Sequence, residues 1–345
     1  MNVNHWLKFA SSALAIKDIA TARLDALVLL EDALDKDRSW LLAHPECTIP
    51  SSTVSKLEKQ LQRRMNHEPL AYIRGKSEFY GREFRVNPHT LEPRSETETM
   101  IELLQELVNG KKLKVKSRKK PSENQHPKTG QRLHGSDAMQ GEVEQQTESY
   151  QAYDEGAAKA STQQRAERTV SASSFADWQD SSAMTIVDVG TGSGCIAITA
   201  KCLLPETDVI ATDIDKKCLD TAKQNAKQHG AQISLYEGNL LEPLSDIKHQ
   251  VSGIILLANL PYVPEHFKIN SAAQHEPKHA IFGGTDGLHY YRELFKQINK
   301  LPTKPQLVFT EALPPQHNEL QAIATIASYD LLEQQDFIQV FVSKK

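Results

Sequence analysis

Thr185-Ile186-Val187-Asp188-Val189-Gly190-Thr191-Gly192-Ser193-Gly194-Cys195-Ile196-Ala197-Ile198 decides the fold of this chain. An apolar run leads into three alternating glycines and then into a second apolar stretch, which reads as strand, tight turn and helix. Glycine lets the backbone turn sharply and approach a bound group closely. Asp188 stands just before the first glycine, giving Asp-x-Gly-x-Gly-x-Gly. Dinucleotide-binding enzymes place a similar glycine loop between strand and helix, so this stretch alone gives the architecture and leaves the ligand open.

The next apolar run, Asp208-Val209-Ile210-Ala211-Thr212, ends at Asp213. An acid about 20 residues beyond the glycine loop, at a strand end, is placed to take two ribose hydroxyls. Its alternative is purely structural, a helix N-cap ahead of Asp215-Lys216-Lys217. With the acid before the first glycine, the pair of motifs points to S-adenosylmethionine.

Further on, Ile254-Ile255-Leu256-Leu257-Ala258 reads as a buried strand and runs into Asn259-Leu260-Pro261-Tyr262. The Asn259 side-chain oxygen and the Leu260 carbonyl can both accept from one planar NH2 group, with the Tyr262 ring stacked on the flat group that carries it. An exocyclic amine or amide nitrogen held this way is set up for alkyl transfer. Read conservatively, the tetrapeptide is a strand-to-loop turn.

From Met184 onward strands and helices alternate. Strands are expected at 186–189, 209–212, 233–236, 254–258, 306–310 and 337–342, with helices starting near Gly194, Lys216, Leu288 and Pro315. That order predicts a doubly wound, mainly parallel α/β sheet. Ligands bind such sheets at the carboxyl ends of the strands. The glycine loop, Asp213, Asn239 and Asn259 all fall at those ends.

Upstream the periodicity differs. Residues 1–75 read as a small helical bundle: Leu24, Leu27, Val28 and Leu34 share one helical face, as do Leu57 and Leu61, and Pro45 and Pro50 punctuate the connection. Over residues 76–93, Phe79, Phe84 and Val86 around Gly81 predict a β-hairpin, with a turn at Asn87-Pro88. Ser95 and Glu98 fit a capping box opening a helix through Ile101, Leu104 and Val108. Residues 111–182 start with the basic run Lys111–Lys120 and then hold few Leu, Ile or Phe. The expectation is a disordered insertion whose basic run is solvated. The methyl-transfer domain would then comprise 94–110 and 183–345.

The whole chain has 345 residues, 39% hydrophobic content and a net charge of −4. It therefore carries no global basic field for nucleic acid. Cys47, Cys195, Cys202 and Cys218 form no C-x-x-C pair and read as reduced thiols of a cytoplasmic protein. No apolar run is long enough to span a bilayer, and Met1–Ala15 reads as a first helix. His44, His67, His266, His275 and His289 read as surface residues, and no metal site is expected.

Five stretches carry a resemblance to the HemK/PrmC-type glutamine methyltransferases. Glu68-Pro69-Leu70-Ala71-Tyr72-Ile73-Arg74-Gly75 with Glu78-Phe79-Tyr80-Gly81 resembles that family's domain junction. Glu92-Pro93-Arg94-Ser95-Glu96-Thr97-Glu98 resembles its I-P-R-P-E-T-E signature. Asp188–Gly194 and Asn259–Tyr262 resemble its cofactor loop and N-P-P-Y motif. Glu276-Pro277 with Phe282-Gly283-Gly284-Thr285-Asp286-Gly287-Leu288 resembles its E-P-x-x-A-L-x-G-G-x-D-G-L segment.

The resemblance implies a seven-stranded Rossmann-like class I methyltransferase sheet behind a helical substrate-recognition domain. It implies methylation of the glutamine side-chain amide in the GGQ motif of class-1 peptide-chain release factors, by a monomer. Gly190, Thr191, Gly192, Ser193 and Gly194, with Asp188, would wrap the cofactor; Asp213 would hold its ribose; Asn239 and Leu240 would flank its adenine. Asn259, Leu260, Pro261 and Tyr262 would hold the substrate amide. This chain departs from the family at Leu260, where a proline is usual, at Asn239, where an acid is common, and at Glu92 and Ser95. Rival readings are an rRNA or DNA adenine methyltransferase, a ribosomal-protein glutamine methyltransferase, and a silent cofactor-binding scaffold.

Overall fold

The computed structural model describes residues 1–108, 184–246 and 253–344. The insertion expected at 111–182, with its basic run, lies outside the described residues.

The N-terminal part is helical: Val3–Ala15, Ala22–Leu34, Arg38–Ala43, Ser51–Met65 and Leu70–Arg74. Its core gathers Trp6, Leu14, Ala26, Leu29, Leu30, Leu57 and Leu61. One detail of the expected helix face is corrected. Leu24 is 44% exposed, while Leu29 and Leu30 are buried. The buried stripe is rotated because Asp25 also turns inward, where its carboxylate meets Arg64 at 2.7 Å. Arg74 likewise pairs with Asp32 at 2.6 Å, tying the short fifth helix to the second. His44 and His67 are half-buried rather than on the open surface; His44 stacks on Trp40, with ring centroids 4.4 Å apart.

Strands β1 (Lys76–Phe79) and β2 (Arg82–Arg85) form the expected antiparallel hairpin. Tyr80 and Gly81 both take positive φ, 51° and 67°, the geometry of a two-residue turn whose twist matches the strands. The hairpin and the turn after it lie along helix Lys216–His229. Asn225 accepts from Arg85 N at 2.8 Å, Asn87 donates to Thr221 at 2.8 Å, and Gln228 donates to the Glu83 carbonyl at 2.9 Å.

The main sheet has seven strands: β3 (Thr185–Val189), β4 (Asp208–Asp213), β5 (Ser234–Glu237), β6 (Ile254–Ala258), β7 (Leu307–Glu311), β8 (Tyr329–Gln335) and β9 (Ile338–Ser343). Their order across the sheet is β5-β4-β3-β6-β7-β9-β8. All neighbours are parallel except those of β9, which runs antiparallel to both β7 and β8. Every residue of β3, β6 and β7 is buried, as strands covered by helices on both faces must be. Packed on the sheet are Glu98–Val108, Cys195–Leu203, Lys216–His229, His289–Ile298 and His317–Ile326. This is the doubly wound α/β sheet expected from the sequence. Of the seven strands, β8 is the one that sequence reasoning missed.

The chain leaves β3 towards β4 on one side and later returns to β6 on the other. The strand order reverses at the β3/β6 pair, which opens the crevice where open α/β sheets take ligands. Among the described residues no helix is long and apolar enough to cross a membrane.

Candidate active site

The loops that follow β3, β4, β5 and β6 meet at that crevice. After β3, Gly190, Gly192 and Gly194 adopt φ of 73°, 57° and 83°, a region L-residues with a Cβ rarely adopt. A Cβ on Gly194 would sit 2.9 Å from Ile198 and 3.0 Å from Ala222, so glycine there also lets two helices close in. At Gly192 nothing lies within 4 Å of where a Cβ would stand.

Asp188 anchors the loop from beneath. It is fully buried, and its Oδ2 accepts from the Thr191 hydroxyl at 2.6 Å and from Ala197 N at 3.2 Å. Burial pushes its carboxyl up to about 7 against those two hydrogen bonds. Its Oδ1 is buried without a partner. The Cys195 thiol, at the start of the following helix, is pushed up by burial to about 12 and is thus inert at neutral pH.

Asp213, at the end of β4, is 8% exposed. Its Oδ2 accepts from Gly192 N at 2.8 Å and its Oδ1 from Asp215 N at 2.9 Å. The helix N-cap is Asp215, which accepts from Lys217 N at 2.8 Å. Asp213 is therefore a bridge between the glycine loop and the β4 turn. Burial raises its pKa above the ordinary carboxylate value. After β5, Asn239 donates to Glu242 at 3.2 Å, and Leu240 takes a left-handed φ of 55°. The Leu240 carbonyl accepts from the Thr212 hydroxyl at 2.9 Å, which fixes this loop beside the end of β4.

After β6 comes Asn259, half-buried, whose Nδ2 donates to the Thr97 hydroxyl at 2.9 Å. That contact leaves the amide oxygen as the group free to face a ligand. Leu260 is 3% exposed and packs towards the glycine loop: a Cβ on Gly190 would meet its Cδ2 at 3.1 Å. The Tyr262 hydroxyl donates to Glu311 Oε1 at 3.1 Å. Gln316 donates to the Tyr262 carbonyl at 2.8 Å and to the Asp286 carbonyl at 2.7 Å. The Tyr291 hydroxyl sits between the ends of β6 and β7. It donates to the Glu311 carbonyl at 2.5 Å and accepts from Glu311 N at 3.2 Å and Leu260 N at 3.3 Å.

The structure thus brings Asp188, Gly190–Gly194, Asp213, Asn239, Leu240 and Asn259–Tyr262 to the carboxyl ends of the central strands. It also brings in groups the sequence reading missed. Glu311, Tyr291, Thr97 and Gln316 were not singled out, although an acid ending the otherwise uncharged run Leu307–Thr310 was a usable signal. The capping box expected at Ser95 and Glu98 does not form. Residues Ser95–Thr97 make a 3-10 turn with no side-chain cap, Ser95 donates to Glu96 at 3.1 Å, and Glu98 accepts from Tyr80 N at 2.7 Å. The hairpin has claimed the carboxylate that would have closed the box.

A second cluster lies beside the crevice. Glu276 is 4% exposed and accepts from Arg94 at 2.5 Å and from Glu92 N at 3.4 Å. Next to it the Tyr72 hydroxyl donates to the Thr90 carbonyl at 2.6 Å, and His275, which is exposed, meets the Asn66 carbonyl at 2.9 Å. The helical part, the 92–97 turn and the 263–288 segment are held together here. Burial raises the pKa of Glu92, with the Arg94 guanidinium opposing it. His266 and His289 are also exposed.

Comparison with known proteins gives two family matches: the PrmC N-terminal domain over residues 5–75 and the methyltransferase small domain over residues 174–275. The "Bifunctional methyltransferase" of Rickettsia felis is 29% identical over 87% of this chain and 49% of its own length. This chain spans about half the length of the curated relatives of that kind. The "Release factor glutamine methyltransferase" of Enterococcus faecalis is 28% identical over 93% of this chain and 89% of its own. Its namesake from Staphylococcus aureus is 27% identical over 86% and 81%. The chain therefore pairs a PrmC N-terminal domain with a methyltransferase small domain, and the HemK/PrmC-type resemblance carried by its motifs extends over both.

Proposed function

We propose that this chain transfers a methyl group from S-adenosylmethionine to the side-chain amide nitrogen of the glutamine in the GGQ motif of class-1 peptide-chain release factors. The observation that carries the reading is Asn259. It ends the strand beside the glycine loop, and Thr97 holds its Nδ2 so that its oxygen is left for an incoming NH2.

The residues around the glycine loop suit the cofactor. Space is open over Gly192, and the buried Asp213 carboxylate has lone pairs left for ribose hydroxyls beyond the two backbone donors it already accepts. When bound, S-adenosylmethionine supplies a methyl group already activated on a sulfonium. The protein's task is alignment. Asn259 Oδ1 and the Leu260 carbonyl accept the two hydrogens of the substrate amide. They orient its nitrogen and favour the positive charge that develops there as its delocalised lone pair is drawn out. Tyr262, its hydroxyl tied to Glu311, offers its ring to the amide plane. The helical domain at 1–75 is the surface that recognises the release factor, and the chain acts as a cytoplasmic monomer.

Incubation of the purified chain with a class-1 release factor and methyl-labelled cofactor, followed by peptide mass mapping, tests the reading. A methyl group on the GGQ glutamine, lost with Asn259→Ala, is the expected result. Label on rRNA, on DNA or on a ribosomal protein instead of the release factor overturns the substrate. Cofactor binding without transfer to any of them overturns the activity.

A further inference from the structure

Glu311 is fully buried at the end of β7, beside Asn259 and Tyr262 of the segment proposed to hold the substrate amide. Its Oε1 accepts from the Tyr262 hydroxyl at 3.1 Å, and its Oε2 is buried without a hydrogen-bond partner. The side chains of Thr97 and Asn259 both lie close enough to favour its charged form against the burial that opposes it. Thr97, 1% exposed, accepts from Asn259 Nδ2 at 2.9 Å. A hydroxyl has one proton to give. Having accepted from Asn259, Thr97 still has that proton available for the neighbouring carboxylate.

We propose that Glu311 is a positioning residue for methyl transfer: its carboxylate fixes Tyr262 directly and, through the Thr97 hydroxyl, holds Asn259 with its oxygen rather than its NH2 towards the methyl acceptor. The proposal rests on the assignment of Asn259 made above. The logic is one of hydrogen-bond polarity. A Thr97 hydroxyl that donates to a carboxylate can only accept from Asn259, and only the NH2 end of an amide can donate to it. Once Glu311 takes a proton and becomes a donor, Thr97 is free to donate to Asn259, and the amide turns over. Its NH2 would then confront the NH2 of the substrate, two donors face to face.

The groups around Glu311 come from every neighbouring element. Glu96 and Thr97 face it from the 3-10 turn, Asn259 and Tyr262 from the β6 loop. Tyr291 faces it from helix His289–Ile298, and Cys195 from the start of helix Cys195–Leu203. Arg94 acts on the far end, at Tyr262. Glu96 raises the Glu311 pKa and burial raises it most, so that it stands at about 7, inside the working range of an enzyme.

The test compares kcat against pH for wild type, Glu311→Gln, Thr97→Val and Thr97→Ser, with cofactor Kd measured beside it. In wild type kcat should rise as pH passes about 7 and then level off. Glu311→Gln should lower the plateau by tenfold or more, abolish that acidic limb and leave cofactor Kd within about twofold. A carboxamide presents one acceptor where the site needs two. Thr97→Val should lose kcat in the same way, and Thr97→Ser should restore most of it. A limb that persists in Glu311→Gln, or Thr97→Val with wild-type kcat, overturns the proposal.

A second readout needs no methyl acceptor: the side-chain amide resonances of Asn259 followed by NMR across pH 5.5–8.5. They should titrate in wild type and stay fixed in Glu311→Gln. Resonances that do not move in wild type overturn the proposal, whatever the substrate proves to be. A wild-type protein that methylates no release factor refutes the substrate assignment, while the amide titration still decides the role of Glu311. If Glu311→Gln does not fold, the Thr97 pair and the wild-type titration decide.

Discussion

Gly283 and Gly287 hold the Pro261–Tyr262 backbone in place, and replacing either with alanine should show it. A Cβ on Gly287 would stand 2.0 Å from the Tyr262 carbonyl oxygen and 2.3 Å from Gln316 Nε2. Its φ of 79° adds a left-handed penalty of about 1–2 kcal/mol for any residue with a Cβ. Relief of the clash needs a shift on the order of 1 Å by main chain, because the partner is a carbonyl and not a flexible side-chain tip. That shift costs Gln316 its bonds to Tyr262 and Asp286, about 1 kcal/mol each. The sum for Gly287→Ala is roughly 3–4 kcal/mol. Gly283 has no left-handed penalty, but a Cβ there would meet the Pro261 carbonyl at 2.2 Å and the Gly287 carbonyl at 2.4 Å. Overpacking of that kind costs about 1–3 kcal/mol. Gly81 is the control: its φ is 67° and its surroundings are open, so Gly81→Ala carries the conformational penalty alone. Urea denaturation at constant m-value ranks the three, with kcat and cofactor Kd measured on each. Gly287→Ala should lose the most stability, and both 283 and 287 variants should lose kcat with Kd little changed. If Gly287→Ala is no less stable than Gly81→Ala and turns over at the wild-type rate, this segment does not set the Tyr262 geometry.

Asn259→Ala should lower kcat by the equivalent of roughly 2.7–4 kcal/mol while cofactor affinity stays near wild type; calorimetry and single-turnover kinetics separate the two. Asp213→Ala should weaken cofactor binding by calorimetry. Because Asp213 also holds Gly192 N and Asp215 N, the amide exchange of those two residues should rise in the same variant. Stability should change with pH in a defined direction. Asp188 and Glu311 hold their protons more tightly folded than unfolded, with folded values near 7 against ordinary values of 3.8 and 4.5. The folded state binds more protons between those limits, so stability falls as pH rises from about 4 to 7 and then levels off. Asp286 is the opposite case: Arg292 holds it down at about 2, so its contribution is present above about 4 and lost as pH falls towards 2. Thermal midpoints should therefore be higher at pH 5.5 than at pH 8, and a flat or rising profile over that range would contradict the two buried carboxyls.

Among the strands that sequence reading located, β3, β6 and β7 are buried throughout, and their unbroken apolar runs are the plainest signal. Ile254–Ala258 and Leu307–Thr310 carry no charge, as strands covered on both faces do. Strand Tyr329–Gln335, at one edge of the sheet, escaped because its apolar pattern is broken. Its residues grade from buried Tyr329 through half-buried 330–333 to exposed Gln334 and Gln335, Asp330, Glu333, Gln334 and Gln335 dilute its apolar pattern, and its register shifts between Leu331 and Glu333. The glycine loop and the two strand-end residues Asp213 and Asn259 were legible because backbone constraint and position coincide there. Glu311, Tyr291, Thr97 and Gln316 were not, since each acts through a contact made only when distant segments pack. Thr97 meets Asn259 across 162 residues of sequence, and local pattern holds no trace of such a pairing. The capping box failed for a related reason: Glu98 fitted a local rule, and a tertiary partner, Tyr80 N, outcompeted it.

Leu260 stands where the family resemblance has a proline, and restoring that proline should not improve this protein. The leucine side chain is 3% exposed, and its Cδ2 lies against Gly190, so it helps support the glycine loop. Its N–H reaches the Tyr291 hydroxyl at 3.3 Å, a contact proline cannot make. Against these losses, proline stiffens the unfolded chain less favourably for unfolding and contributes about 0.4–1 kcal/mol. Loss of one buried methyl-sized volume costs about 0.5–1.5 kcal/mol, and loss of the long hydrogen bond about 1 kcal/mol. The balance is a net destabilisation on the order of 1 kcal/mol for Leu260→Pro. Because the missing volume lies under Gly190, cofactor affinity should fall as well, although Leu260 itself offers only a backbone carbonyl to the substrate. Denaturant midpoints and cofactor titration of the single variant test both parts. A variant more stable than wild type with unchanged cofactor affinity would mean that backbone rigidity at this position outweighs the packing, and that Gly190 needs no support from the side chain at 260.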